Sequence, residues 1–263
     1  MLSPIFSIAN TTVREAIRRK VLLIILLVGV VFLVIAPGLG ALSARSETTV
    51  LRGLLLGVIQ ITSAVIAIVL TVYMIPNEIE RRTIYTILSK PVQRWQFLIG
   101  KYLGAVSALA MMMFLMSFIM VFTFYLQQGQ NATAALDLLK APAMYFVQMS
   151  LLAAVAIFFS TFVSPIVNFF LSGGLYLLGS LFAPFFQTLE ESQGTPAATK
   201  LFAKFINVIL PNFANYNVQN PIINPGQVIQ NEQQYFIQNT LYGLVYIAAL
   251  ILGGILVFDR REV

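Results

Sequence analysis

The apolar residues of this chain are gathered into runs of about twenty that carry almost no charge. That segregation leaves few folds open. A helix rises 1.5 Å per residue, so about twenty apolar residues cross the roughly 30 Å of hydrocarbon in a bilayer. Six runs fit: 21–42, 54–76, 98–126, 143–163, 166–187 and 239–258. Composition supports the reading. Of 263 residues, 59% are hydrophobic and only 10% charged, against roughly 25% charged in soluble domains. The expected fold is all-α: one polytopic membrane domain over 1–263. Only Ser164-Pro165 separates the fourth and fifth runs. A continuous stretch of about 45 residues cannot cross once, so two helices are expected there.

Residues 3–18 read as an amphipathic helix on the membrane surface. Ser3 suits an N-cap and Pro4 the first helical position. Ile5, Ala9, Val13, Ala16 and Ile17 share one face, and Asn10, Arg14, Glu15 and Arg18 the other. The first span follows Arg18, Arg19 and Lys20. Ala41-Leu42-Ser43 resembles a cleavage site, but the run is longer than a signal peptide's core of about 7–15 residues, so a retained anchor is expected, disturbed at its outer end by Pro37 and Gly38.

The basic residues set the orientation. With both termini inside, Arg14, Arg18, Arg19, Lys20, Arg81, Arg82, Lys90, Arg94, Lys101, Arg260 and Arg261 lie on the inner side. Arg45, Arg52, Lys140, Lys200 and Lys204 lie outside. Five acids fall on each side, so the whole net charge of +6 is an inner-side excess. Anionic lipid head groups account for it, and nucleic acid is not expected as a partner. The expected location is a bacterial inner (plasma) membrane, crossed several times, with cytoplasmic termini.

Chemistry is scarce. The chain has no Cys and no His, which removes disulfides, thiol redox chemistry, ordinary zinc sites and the commonest general base. No catalytic residue and no metal cluster emerges. The nearest approach to a phosphate-binding loop, Gly100-Lys101-Tyr102, has Trp95 where the first Gly belongs and opens a span. If ATP drives the protein, another chain binds it. The spans hold Gln60, Gln148 and Asn168 but no interior charge, which disfavours an ion-coupled secondary transporter. Gln60 and Gln148 are expected to pair between helices, and Asn168 to cap a helix end. Small residues four apart, Gly53/Gly57, Gly100/Gly104 and Ala249/Gly253, are expected to serve packing within the bundle rather than a dimer seam. The glycosylation sequon at Asn131 is discounted as a chance match.

The most informative stretch is 77–101, NEIERRTIYTILSKPVQRWQFLIGK, an inner loop. A helix from Glu78 to Leu88 would show Ile84, Ile87 and Leu88 on one face, with Glu78 and Arg82 four apart. It would stop before Lys90-Pro91. Arg94 and Trp95 would open the next helix at head-group level. The loop is either a plain positive-inside connection or a helix that docks into a partner's groove. On the other side, 188–238 is polar and rich in turn formers around an amphipathic piece, Ala197–Leu210. Backbone of that kind could re-enter the outer leaflet only if protein covers it.

The inner loop resembles the membrane subunit of type-2 ATP-binding-cassette transporters. The resemblance rests on Glu78-x-Glu80, Arg81-Arg82-Thr83-Ile84, Leu88-Ser89-Lys90-Pro91, Arg94, Phe97 and Gly100-Lys101. Arg82 stands where many members have Gly, and this variant looks like the subgroup with copper-site maturation and gliding-type permeases. Leu210-Pro211-Asn212-Phe213, followed by Asn217, is a second point of likeness, and the layout matches along the whole chain. The resemblance implies a permease paired with a second copy or a related chain. Each would engage a cytoplasmic P-loop ATPase that uses ATP and Mg, while this chain binds no cofactor. Glu78, Glu80, Arg81, Arg82, Thr83, Ile84, Ile87, Leu88, Pro91 and Arg94 would form the coupling element. Ile5, Val13, Arg14, Ile17 and Arg18 would mark the interfacial helix. Pro211, Asn212, Phe213 and Asn217 would belong to a re-entrant outer gate. An alternative from another class is a scaffold that relays ATP-driven motion to an outer or periplasmic partner without transport.

Overall fold

A computed structural model describes residues 3–41, 47–80, 93–127, 132–182, 185–186, 188–189, 196–217 and 231–260. Among these, regular structure is entirely helical. Helix α1 (Ser3–Arg18) leads into α2 (Lys20–Ala41). Then come α3 (Glu47–Val72), α4 (Met74–Glu80), α5 (Arg94–Gln127), α6 (Ala132–Asp137), α7 (Lys140–Ser160), α8 (Pro165–Leu181), α9 (Ala197–Ile209) and α10 (Glu232–Asp259). Five helical stretches are long and apolar enough to cross a membrane, and α8, at 17 residues, is a shorter apolar helix. The protein is an all-α, multi-pass integral membrane protein.

Several boundaries differ from the sequence expectation. Pro76 does not end the second span. It sits third in α4, where a missing N–H is one of the donors a helix start leaves unpaired anyway. Pro37 likewise lies inside α2, which continues to Ala41. Helix α5 begins at Arg94 and runs 34 residues, about 51 Å at helical rise. That exceeds the hydrocarbon thickness, so some of its turns stand outside the membrane core. The last helix starts at Glu232, seven residues before the apolar run, because a helix can extend beyond the bilayer with polar residues.

The two-helix reading at Ser164-Pro165 holds. Ser164 is extended (φ −66°, ψ 153°), as a residue before proline prefers, and Pro165 opens α8. Asn168 does not cap. It is buried in the first turns of α8, where Nδ2 donates to the Ala156 carbonyl of α7 at 2.8 Å and Oδ1 accepts from Ser172. The polar group staples the two helices of this tight pair.

Helix α7 forms the axis of the bundle. Of an apolar 18-residue stretch within 133–160, 72% of residues are buried, against 22% for the corresponding stretch of α2. It packs on α3, α5, α8 and α10, while α1 lies along the inner part of α5. Small residues decide the closest approaches. A Cβ on Gly29 would sit 2.7 Å from Thr62 of α3, and one on Gly253 would sit 3.3 Å from Phe158 of α7. Gly57 differs from the expectation of internal packing, because it has no neighbour within 4 Å of its Cβ position, whereas Gly53 is buried. Both line an open apolar groove of about 520 Å³ between α2 and α3.

Candidate functional site

Two groups of polar residues stand out, one at each end of the bundle. The inner group begins with α1. Ile5, Thr12 and Ala16 are buried, and Ile8 and Val13 pack on the core. The apolar stripe therefore faces protein rather than acyl chains. Its seat is built by Gly100 and Gly104 of α5: a Cβ at Gly100 would lie 2.9 Å from Ile8 Cβ, and one at Gly104 would lie 2.5 Å from Thr12 Cβ. Thr12 satisfies its own hydroxyl on the Ile8 carbonyl at 2.9 Å, so it can be buried there. Arg14, Ile17 and Arg18 fall on the exposed side, which puts Ile17 off the stripe assigned to it.

Between the two glycines Lys101 points inward. Its side chain is 4% exposed. The ammonium donates to Glu78 Oε1 of α4 at 2.6 Å, lies 3.8 Å from Glu15 Oε2 of α1, and sits 5.7 Å from the Phe97 ring centroid. One buried cation thus joins α1, α4 and α5. Counter-charges are required there, since an unpaired ammonium in a low-dielectric site is costly. About two turns toward the loop, Arg94 donates to the carbonyls of Phe258 (3.0 Å) and Asp259 (3.2 Å), which end α10. A cation at a helix C-terminus meets both orphan acceptors and the negative end of the macrodipole. Phe97 and Phe258 stack beneath it with ring centroids 6.1 Å apart. The inner ends of α1, α4, α5 and α10 are thereby tied into one body.

Of the proposed coupling residues, Glu78 and Arg94 belong to this body. Arg81, Arg82, Thr83, Ile84, Ile87, Leu88 and Pro91, together with the Glu80 side chain, lie outside the described residues. In the sequence Lys101 was an inner-side charge and part of the Gly100-Lys101 family likeness, with no partner assigned to it. Its Gly-Lys-Tyr-Leu-Gly setting was the available signal, because a Lys between two packing glycines at a span's start is forced toward the seam.

The outer group is the segment Leu210–Asn217, which includes a 3-10 turn, Ala214–Tyr216. It leaves the helical pattern and inserts among the spans. Phe213 and Tyr216 are fully buried. The Phe213 N–H donates to the Gly179 carbonyl of α8 at 3.1 Å, and its carbonyl accepts from Gln148 Nε2 of α7 at 2.9 Å. Gln148 in turn accepts from Gln60 of α3 at 3.4 Å, the pairing expected of them. Tyr145 donates to Asn217 Oδ1 at 2.8 Å, and Tyr216 to the Asn239 carbonyl of α10 at 3.0 Å. Asn212 Oδ1 closes a turn on the Ala214 N–H at 3.0 Å. Glycines make the room: a Cβ at Gly179 would lie 2.4 Å from the Pro211 carbonyl oxygen, and one at Gly243 would lie 2.7 Å from the Tyr216 hydroxyl.

Gln148 is eight residues into α7 from Lys140, about 12 Å along the axis. Irregular backbone at that depth has no water to satisfy it, and here side chains of the surrounding helices do so. Pro211, Asn212, Phe213 and Asn217, grouped from the sequence, are thus brought together. Their partners Tyr145, Tyr216, Gly179, Asn239 and Gly243 were missed, as nothing in a span's hydropathy marks which face receives a loop.

Among the described residues no cluster of Asp and Glu could hold a metal ion. A comparison with curated protein sequences finds no match to the chain. A family model for the ABC-2 family transporter protein matches residues 6–263, nearly the whole chain, and the chain therefore belongs to that family as a membrane permease subunit of an ABC transporter.

Proposed function

We propose that this permease is an exporter subunit energised by a separate cytoplasmic ATPase bound at the inner loop, 77–101. The observation that carries the reading is the tie at the inner end. Lys101 holds Glu78 of α4 and faces Glu15 of α1, and Arg94 holds the end of α10. Force applied to the loop would act on four helices together. The coupling surface would consist of Glu80, Arg81, Arg82, Thr83, Ile84, Ile87 and Leu88, ended by Pro91. ATP and Mg would be used by the ATPase and none by this chain. Two permeases, identical or related, would pair in a bacterial inner membrane with cytoplasmic termini. The segment holding Pro211, Asn212, Phe213 and Asn217 would act as the outer gate.

The test is co-purification. Leu88→Asp and Glu80→Lys should abolish capture of the ATPase while leaving membrane insertion and melting temperature unchanged. Undiminished capture by both variants would sink the docking assignment. A second reading, a relay to an outer or periplasmic partner without transport, is supported by the outer segment's bonds to α7, α8 and α10. Reconstituted complex in vesicles separates the two, because only the exporter clears a solute on ATP addition.

A further inference from the structure

Among the described residues the inner cluster joins one buried cation to two carboxylates, and the carboxylates are not equivalent. Glu78 makes direct contact with Lys101 at 2.6 Å, and its side chain is 13% exposed. Glu15 stands at 3.8 Å and is 47% exposed. Glu78 lies two residues from the end of α4, beside the inner loop, whereas Glu15 rides on α1. Displacement of the loop acts on Glu78 first.

Lys101 cannot be left alone when that happens, because removing one partner from a buried pair strands a charge. Glu15 is within about one ångström of hydrogen-bond contact, and its exposure gives it room to move. The Phe97 ring face under the ammonium holds the cation in place while its partners change. Helix α1 is seated where Ile8 and Thr12 meet Gly100 and Gly104. Glu15 lies about one turn beyond that seat, so a small pivot there swings it inward.

We propose that Lys101 is a positioning residue that exchanges carboxylates. It holds Glu78 in the conformation described here and Glu15 when the inner loop is displaced, so α1 is drawn onto the inner end of α5 as α4 leaves it. The cation stays paired throughout, which lets the joint move without exposing a lone buried charge. This rests on the reading that an ATPase drives the inner loop, and the experiment separates the two.

The first arm uses the purified full-length permease and its melting temperature. Glu78→Gln and Glu15→Gln should each cost little, since the other carboxylate covers. The double variant should lose more than the sum, by over about 5 °C. Adding Lys101→Met should restore most of that loss. Strictly additive losses, or no restoration by Lys101→Met, overturn the exchange.

The second arm uses the complex with its co-purified ATPase. Because the chain has no Cys, spin labels on cysteines at Asn10 (α1) and Leu103 (α5), both exposed, report one distance. A non-hydrolysable ATP analogue should shift that distance in the otherwise unaltered chain. Glu15→Gln, with near-normal melting temperature, should abolish the shift, an effect a purely structural role would not produce. A shift that survives Glu15→Gln overturns the exchange with docking intact. Failure of any ATPase to co-purify overturns the proposed coupling, and the first arm still decides whether Lys101 serves two partners.

Discussion

The two ends of the bundle are held by different kinds of bond. The inner end is joined by charge: Lys101 with Glu78 and Glu15, and Arg94 on the last carbonyls of α10. The outer segment is joined by neutral hydrogen bonds, while glycine seats serve both ends. The difference is mechanical. A charge–charge attraction falls off gently with distance and tolerates a change of partner. A neutral hydrogen bond is lost within about half an ångström. The inner end is built to shift while staying paired. The outer segment is built to be seated or not seated.

Substitutions can break or sharpen that contrast. The largest effect is expected at Gly179→Val, because its Cβ meets the Pro211 carbonyl, which is backbone and cannot rotate away. The segment should be unseated at a cost of about 3 kcal/mol or more. Maleimide labelling of a single cysteine at Ala214 should rise sharply, and an unchanged labelling rate would show that the seat is not required. Next is Gln148→Leu, which removes the donor to the buried Phe213 carbonyl and the acceptor of Gln60. A loss of about 1–3 kcal/mol in thermal unfolding is expected. Tyr145→Phe deletes the single bond to Asn217 and should cost about 1 kcal/mol.

At the inner end, Arg94→Lys keeps the charge but loses the two-point grip on the Phe258 and Asp259 carbonyls, a change of about 0.5–1 kcal/mol. Arg94→Gln, which removes the charge as well, should lose more at low salt than at high salt, whereas the Tyr145→Phe loss should not depend on salt. The smallest effect is expected at Lys140→Ala. Lys140 pairs with Asp137 and Glu232, but all three side chains are substantially exposed, and such surface pairs contribute little. A melting temperature as low as that of the Gln148 variant would contradict the distinction between buried and exposed charge.

Much of the fold was legible in the sequence. The spans follow from apolar runs that only a bilayer or a bundle core can absorb. The break at Ser164-Pro165 follows from proline's effect on the residue before it. The Gln60–Gln148 pair follows from the cost of a lone amide in an apolar setting. Less legible were Asn168, which staples α8 to α7 instead of capping, and Ile17, which lies off the buried stripe of α1. Both depend on how neighbouring helices are rotated, and helical periodicity gives a face without saying what covers it.

The same distinction separates what the sequence determined from what tertiary structure decided. Hydropathy and charge placement are sums over local segments, so the sequence alone determined an all-α, multi-pass protein whose basic residues are in excess on one side. A polar, turn-rich departure from helix over 188–238 was also visible, and the resemblance to a transporter family grouped Pro211, Asn212, Phe213 and Asn217 within it. Where that segment seats, and which cation joins Glu15 to Glu78, are relations between residues 23 to 86 positions apart: Lys101 from Glu78 and from Glu15. Only packing of α1, α4 and α5 against one another makes Lys101 a buried hub rather than one more charge at the membrane surface.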